Sequence, residues 1–211
     1  MFLRSVLALL MLLSLFPAWC QPIDIGLRLE LLVDDYLIAE MSGGAAFRMH
    51  PPTPKEIVLV HDVPWEGSGT GYHTVFQDGD RYRMYYKAWH LDPQEGNLNT
   101  PHDTFGAYAE SPDGIHWVRP ELGLFAFEGS TANNIIWVGK GGHDFTPFRD
   151  TNPNCLPGEE YKAIAYGLDP TGAYAFKSPD GIHWSFLQET PVITDGAFDT
   201  QNLAFWDEVR G

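Results

Sequence analysis

The sequence predicts an all-β chain built from repeated units of four short antiparallel strands, and three observations carry that expectation. Residues 106–117 read GAYAESPDGIHW and residues 172–184 read GAYAFKSPDGIHW, so SPDGIHW stands twice, with Ser111 and Ser178 67 positions apart. Chance recurrence of an unbroken heptapeptide in so short a chain is negligible, and a fixed period marks a repeat architecture. Gly (21) and Pro (16) punctuate the whole length. No segment sustains the 3.6-residue apolar period of a helix.

The elements follow in order. Arg4 precedes the apolar run Val6–Phe16, which is broken only by Ser14, and a polar QPID follows Cys20. That is the layout of a secretory signal, and the run is too short to span a membrane. Residues 1–20 are therefore expected to leave after Cys20, giving a secreted or periplasmic protein with one domain over 21–211. Lipidation of Cys20 is the competing reading, with bulky Trp19 against it. Leu32–Ile38 (LVDDYLI) places Asp34 and Asp35 between apolar flanks, so that one side chain faces inward and the other outward, with a turn or a blade-closing contact as the alternative.

Tyr72–Trp89 (YHTVFQDGDRYRMYYKAW) reads as a hairpin with Asp78-Gly79-Asp80 as its turn and RYRMYY as its second strand. In each repeat GAYA forms the next strand, Pro-Asp-Gly supplies turn chemistry, and Ile-His-Trp begins the return. Trp117 and Trp184 are expected between neighbouring sheets, where a large ring buries most area. Phe148–Tyr166 repeats the hairpin with a longer turn, and Phe198–Gly211 starts it a third time. Four-stranded units at this spacing predict β-propeller blades, about two and a half of them in this chain. Such a ring closes by joining its last blade to its first, so a fragment of a longer reading frame is expected.

Charge and cysteine usage narrow the function. Lys+Arg 13 against Asp+Glu 28 gives a net charge of −15, a surface that repels nucleic-acid phosphates. It suits a neutral substrate. Beyond Cys20 only Cys155 remains, which excludes an internal disulfide in the mature chain, and no Cys/His/Asn signature surrounds it. His50, His61, His90, His102 and His143 show no metal-ligand spacing, and His116 and His183 belong to the repeat. No cofactor follows, and nothing specifies ligands for a calcium ion in a central channel. The stretch Val138-Gly139-Lys140-Gly141-Gly142 is rich in glycine but lacks the strand–loop–helix context of a phosphate loop.

The S-x-D-G-x-x-W ends of successive units resemble those of the five-bladed propeller glycoside hydrolases, the invertase and fructanase group, the arabinanase and xylosidase group and their relatives. The likeness extends over residues 30–211, and LVDDYLI with GAYAESPDGIHW looks like an uncharacterised exported bacterial branch. It implies carboxylates on the innermost strand of each blade, acting on a carbohydrate substrate as nucleophile or base, acid, and transition-state stabiliser. Arg149-Asp150 resembles the Arg-Asp-Pro motif, with Asp150 stabilising the transition state and Arg149 keeping it ionised, although Thr151 and Asn152 intervene before Pro153. Asp199 stands where the family presents its acid, with Asn202 nearby as a sugar-binding residue. Blade one departs from the pattern, having Gly71-Tyr72-His73 in place of an aspartate. His73 then serves as base or sugar ligand, and Glu66, Asp34 or Asp35 as substitute carboxylate, with Asp35 on the substrate side. For these 211 residues alone, little or no hydrolysis is expected. A propeller that binds carbohydrate or protein without catalysis is the alternative.

Overall fold

A computed structural model describes residues 22–94, 97–198 and 200–211. The apolar run Val6–Phe16 and Asp199 lie outside them. The chain divides into two compact units, the first ending at Pro54 and the second running from Lys55 to Gly211. Among the described residues the first unit carries no strand. Asp34 and Asp35 form a turn there and are both exposed, so neither side chain faces inward. Asp34 accepts the Tyr36 N–H at 3.0 Å, and the Asp35 carbonyl accepts that of Ile38 at 2.9 Å.

The second unit is all-β, with no helix among the described residues. Its strands are β1 (Gly71–Asp78), β2 (Arg81–Ala88), β3 (Asp92–Gln94), β4 (Asn97–Asn99), β5 (Phe105–Ser111), β6 (Ile135–Val138), β7 (Thr146–Arg149), β8 (Tyr161–Gly167), β9 (Gly172–Ser178) and β10 (Ser185–Phe186). They form two four-stranded sheets, β1-β2-β5-β6 and β7-β8-β9-β10, plus the small hairpin β3-β4. Every pairing is antiparallel. Asp78 pairs directly with Arg81, so Gly79 and Asp80 alone make the first turn, and Gly79 supplies the positive φ of 64° it requires.

The repeated heptapeptide closes both sheets with one set of bonds. Ser111 Oγ accepts the N–H groups of Asp113 and Gly114, Asp113 Oδ1 accepts those of Ile115 and His116, and Ser178 and Asp180 do the same for their own turn. Each tryptophan folds under the turn, Trp117 Nε1 donating to Gly114 O at 3.0 Å and Trp184 Nε1 to Gly181 O at 3.1 Å. Ile-His-Trp is thus part of the turn, and the return begins one residue later. The outer strand is split in both sheets. Val118 bridges Glu110 and β6 pairs with the other half of β5 after residues 119–134; β10 pairs with Phe176 and Lys177, and Ile193 bridges Ala173 after residues 187–192.

The two sheets pack through Tyr85, Tyr108 and Ile136 on one side and Ala163, Ala165, Tyr174 and Phe176 on the other, with Phe145 among them. Trp184 joins this layer as expected, but Trp117 packs on the opposite face of the first sheet, against the layer that includes Met84, Ala109 and Ile135. Each ring lies beneath the same face of its own sheet, and among the described residues that face meets another four-stranded sheet in the second sheet but not in the first. The two GAYA tyrosines behave differently. Ser111 lies opposite Tyr82 and Ser178 opposite Tyr161, yet Tyr108 precedes its serine by three residues and Tyr174 by four. One residue of offset turns a side chain to the other face of a strand. Tyr108 and Tyr174 therefore enter the same layer from opposite sheets.

Candidate functional site

The first strands β1 and β7 run side by side, and Thr74–Gln77, Thr146–Arg149 and Leu203–Phe205 line one cleft of about 470 Å³. A short pattern repeats along all three: Phe76-Gln77-Asp78, Phe148-Arg149-Asp150 and Phe205-Trp206-Asp207. Six positions before each aspartate stand Tyr72, Asp144 and Gln201, at the end where the strands begin. The two ends have different chemistry.

At the beginning, a β-bulge between Gly71 and Thr74 and a φ of 54° at Tyr72 re-aim that ring. Lys87, at the end of β2, is buried with its Nζ 4.5 Å from the Tyr72 ring centre and 4.6 Å from that of Trp89. His143 meets both rings edge-on, at 5.6 and 5.5 Å. Asp144 is 1 % exposed; its Oδ1 accepts the Tyr166 N–H at 2.9 Å and its Oδ2 an Asn202 N–H at 3.0 Å. Burial pushes the Asp144 carboxyl up to about 6, in spite of these donors and the nearby Lys87 charge. Burial likewise lowers Lys87, and Asp144 opposes that shift. Gln201 Nε2 donates to Tyr72 O at 3.2 Å and to Thr74 Oγ1 at 2.8 Å. A carboxyl that exchanges its proton near neutrality, beside a cation and aromatic faces, suits proton transfer to a neutral ligand.

At the far end the aspartates are held in ion pairs. Asp78 accepts from Arg83 at 2.6 Å, Tyr161 at 2.6 Å and Arg149 at 3.0 Å. Asp150 pairs with Lys162 and caps the Asn152 N–H at 2.9 Å. Burial works against its charge, but Lys162 holds the carboxyl below the ordinary range. Lys162 occupies in the second sheet the place of Arg83 in the first, since they lie opposite Lys177 and Glu110, each next to its repeat serine. Asp150 is thus the repeat partner of Asp78, and Arg149 pairs with Asp78 and not with its neighbour.

Glu66 is fully buried and spoken for. Its carboxylate takes Arg119 through both oxygens at 2.9 Å and the Tyr86 hydroxyl at 2.6 Å, and lies 3.3 Å from His61 Nδ1. Burial raises its pKa, but these partners outweigh that and leave it lowered. His73 lies at the exposed end of this network, its Nε2 2.9 Å from that of His61, and stacks on Tyr86. Asn202 serves Asp144 and the carbonyls of Phe198 and Thr200. Cys155 Sγ faces the Glu159 carbonyl at 3.2 Å, and burial raises its pKa, the setting of an unreactive thiol. Among the described residues no three His, Cys, Asp or Glu side chains converge as metal ligands, and no helix is long and apolar enough to cross a membrane.

The structure thus puts Arg149 and Asp150, which the sequence offers as a catalytic pair, at the end away from Asp144, and Glu66, offered as a substitute carboxylate, within a buried ion pair. Asp144 and Lys87 are the groups it passes over. The signal that finds Asp144 is the threefold Phe-x-Asp register, which puts it level with Tyr72 and Gln201. No family model, curated protein or solved structure matches the chain.

Proposed function

We propose that the protein acts on carbohydrate as a glycoside hydrolase of the propeller type, with Asp144 giving the proton to the departing sugar oxygen. The observation that carries this reading is Asp144 itself: a buried carboxyl at the head of a first strand, raised to about 6 and held by two donors. Such a group is protonated often enough near neutral pH to act as an acid. Tyr72 and Trp89 offer faces to a sugar ring, and Lys87 sits over both as a cation balancing the carboxylate. The two up-and-down sheets with adjacent first strands support blades of one ring, in which Leu203–Phe205 opens a third.

A binding protein without catalysis is the second reading. It draws support from the positions level with Asp144, which are Tyr72 and Gln201, and from the paired state of Asp150 and Glu66. The test is release of reducing ends from arabinan, xylan and inulin by the natural protein. Asp144→Asn is expected to slow release by about a hundredfold or more while polysaccharide binding persists. Binding without release selects the second reading. Absence of both binding and release overturns the carbohydrate reading in its catalytic and its binding form.

A further inference from the structure

His61 and His73 point their Nε2 atoms at one another, 2.9 Å apart, beside Tyr86 on the first sheet's face away from the second. We propose that these two imidazoles bind a divalent transition-metal ion that prefers square coordination, copper(II) above all. The site uses neither Asp144 nor Lys87, so it stands or falls independently of the carbohydrate reading.

The pair is assembled from two parts of the chain. His61 lies in the segment ahead of β1, and His73 lies in β1 at the bulge between Gly71 and Thr74. Twelve positions separate them, so no short ligand spacing announces the pair. Two N–H groups cannot face each other, and at least one facing nitrogen is therefore a bare lone pair. Glu66 decides which. Its Oε1 lies 3.3 Å from His61 Nδ1, a nitrogen buried from solvent, and a carboxylate there keeps the proton on Nδ1 and leaves Nε2 to bind a metal. Metal-binding histidines recurrently turn their other nitrogen to a carboxylate in this way.

The surroundings fix the first ring and leave the second accessible. Glu66 is held by Arg119 Nε and Nη2, both at 2.9 Å, and by the Tyr86 hydroxyl at 2.6 Å. Arg119 also donates to the carbonyl of Val60, the residue before His61. His73 stacks on Tyr86 with ring centres 5.5 Å apart and is exposed, so an ion reaches the pair from solvent.

Spacing selects the ion. Imidazole nitrogens bind metals at about 2.0 Å, so two in adjacent corners of a square lie about 2.8 Å apart, against about 3.3 Å at a tetrahedral ion. The observed 2.9 Å fits the square arrangement. Copper(II) and nickel(II) favour that geometry, and copper(II) binds nitrogen sites most tightly of the divalent first-row ions. Among the described residues no three His, Cys, Asp or Glu side chains converge as ligands, so water takes the remaining corners. Calcium and magnesium seek oxygen, and Glu66 commits both of its oxygens to Arg119. The net charge of −15 raises the local concentration of any cation, while the nitrogens supply the choice.

Electron paramagnetic resonance of the full chain, loaded with less than one equivalent of copper(II), tests the site. Splitting from two equatorial nitrogens is expected, falling to one in His73→Ala, with copper affinity reduced at least about tenfold. His73→Gln keeps a hydrogen-bonding side chain at the same place and should behave as His73→Ala does, which separates loss of a ligand from loss of the fold. Zinc should bind at least about tenfold more weakly than copper, and excess calcium should displace neither. A spectrum that both variants leave unchanged places copper elsewhere and overturns the site. So does a chain that takes up no copper, or one from which calcium displaces it.

Discussion

The two ends of the first strands are built from the same sequence register and arrive at opposite electrostatics. Where β1 and β7 end, each carboxylate is matched: Asp78 by Arg83, Tyr161 and Arg149, and Asp150 by Lys162. Where they begin, Asp144 is buried with amide donors and carries a raised pKa, and the neighbouring Lys87 is shifted downward. One end is organised to stay charged and hold the sheets together. The other is organised to change charge. Perturbed groups mark function only when geometry separates them from structural ion pairs, and here the two kinds sit at opposite ends of one strand.

The largest expected effect comes from breaking the matched end. Asp78→Ala leaves Arg83 and the Tyr161 hydroxyl without their shared acceptor and should cost about 3 kcal/mol in denaturant unfolding. The other end answers to pH. Folded Asp144 titrates near 6, whereas an unfolded aspartate titrates at about 4. Between those values the native chain binds the extra proton, so this group's contribution to stability is present at low pH and is lost as pH rises from about 4 to about 6. Urea midpoints across that interval should show Asp144→Asn gaining on wild type by on the order of 3 kcal/mol as pH rises. An unchanged difference would return Asp144 to an ordinary carboxylate.

A smaller effect separates Asp150 from its resemblance to a catalytic motif. Lys162→Met should destabilise by about 1 kcal/mol and leave saccharide binding as it was, because the pair lies at the structural end. A collapse of binding would restore Asp150 to the site. The smallest effect belongs to the repeat. His116→Ala removes an exposed partner of Asp113 and should leave the unfolding midpoint unmoved, since the turn is already closed by backbone donors.

Much of the architecture was legible because it is encoded locally. The heptapeptide carries its own serine, aspartate and glycine, so its turn is the same in both sheets whatever surrounds it. The hairpin from Gly71 to Ala88 follows from alternation and a two-residue turn. The face of each GAYA tyrosine was not legible from similarity, because the copies match by eye at the strand start and in space at the serine. Site residues were hardest. Arg149-Asp150 has the composition of a catalytic pair, but its position depends on which strand end it occupies, and only the register with Asp78 and Asp207 reveals that. No motif in the sequence singles out Lys87, and its burial under Tyr72 and Trp89 depends on a bulge that no local pattern announces.

The divided outer strands bear on how this protein meets other chains. A sheet margin invites an incoming strand only where it offers an unbroken row of amides and carbonyls. The outer margins offer β6, four residues long, and β10, two residues long, each parted from a lone bridge by a loop. A foreign strand could add a bond or two along either margin before losing its ladder. A protein rich in exposed β-structure thus keeps its outer margins too short to seed edge-to-edge aggregation.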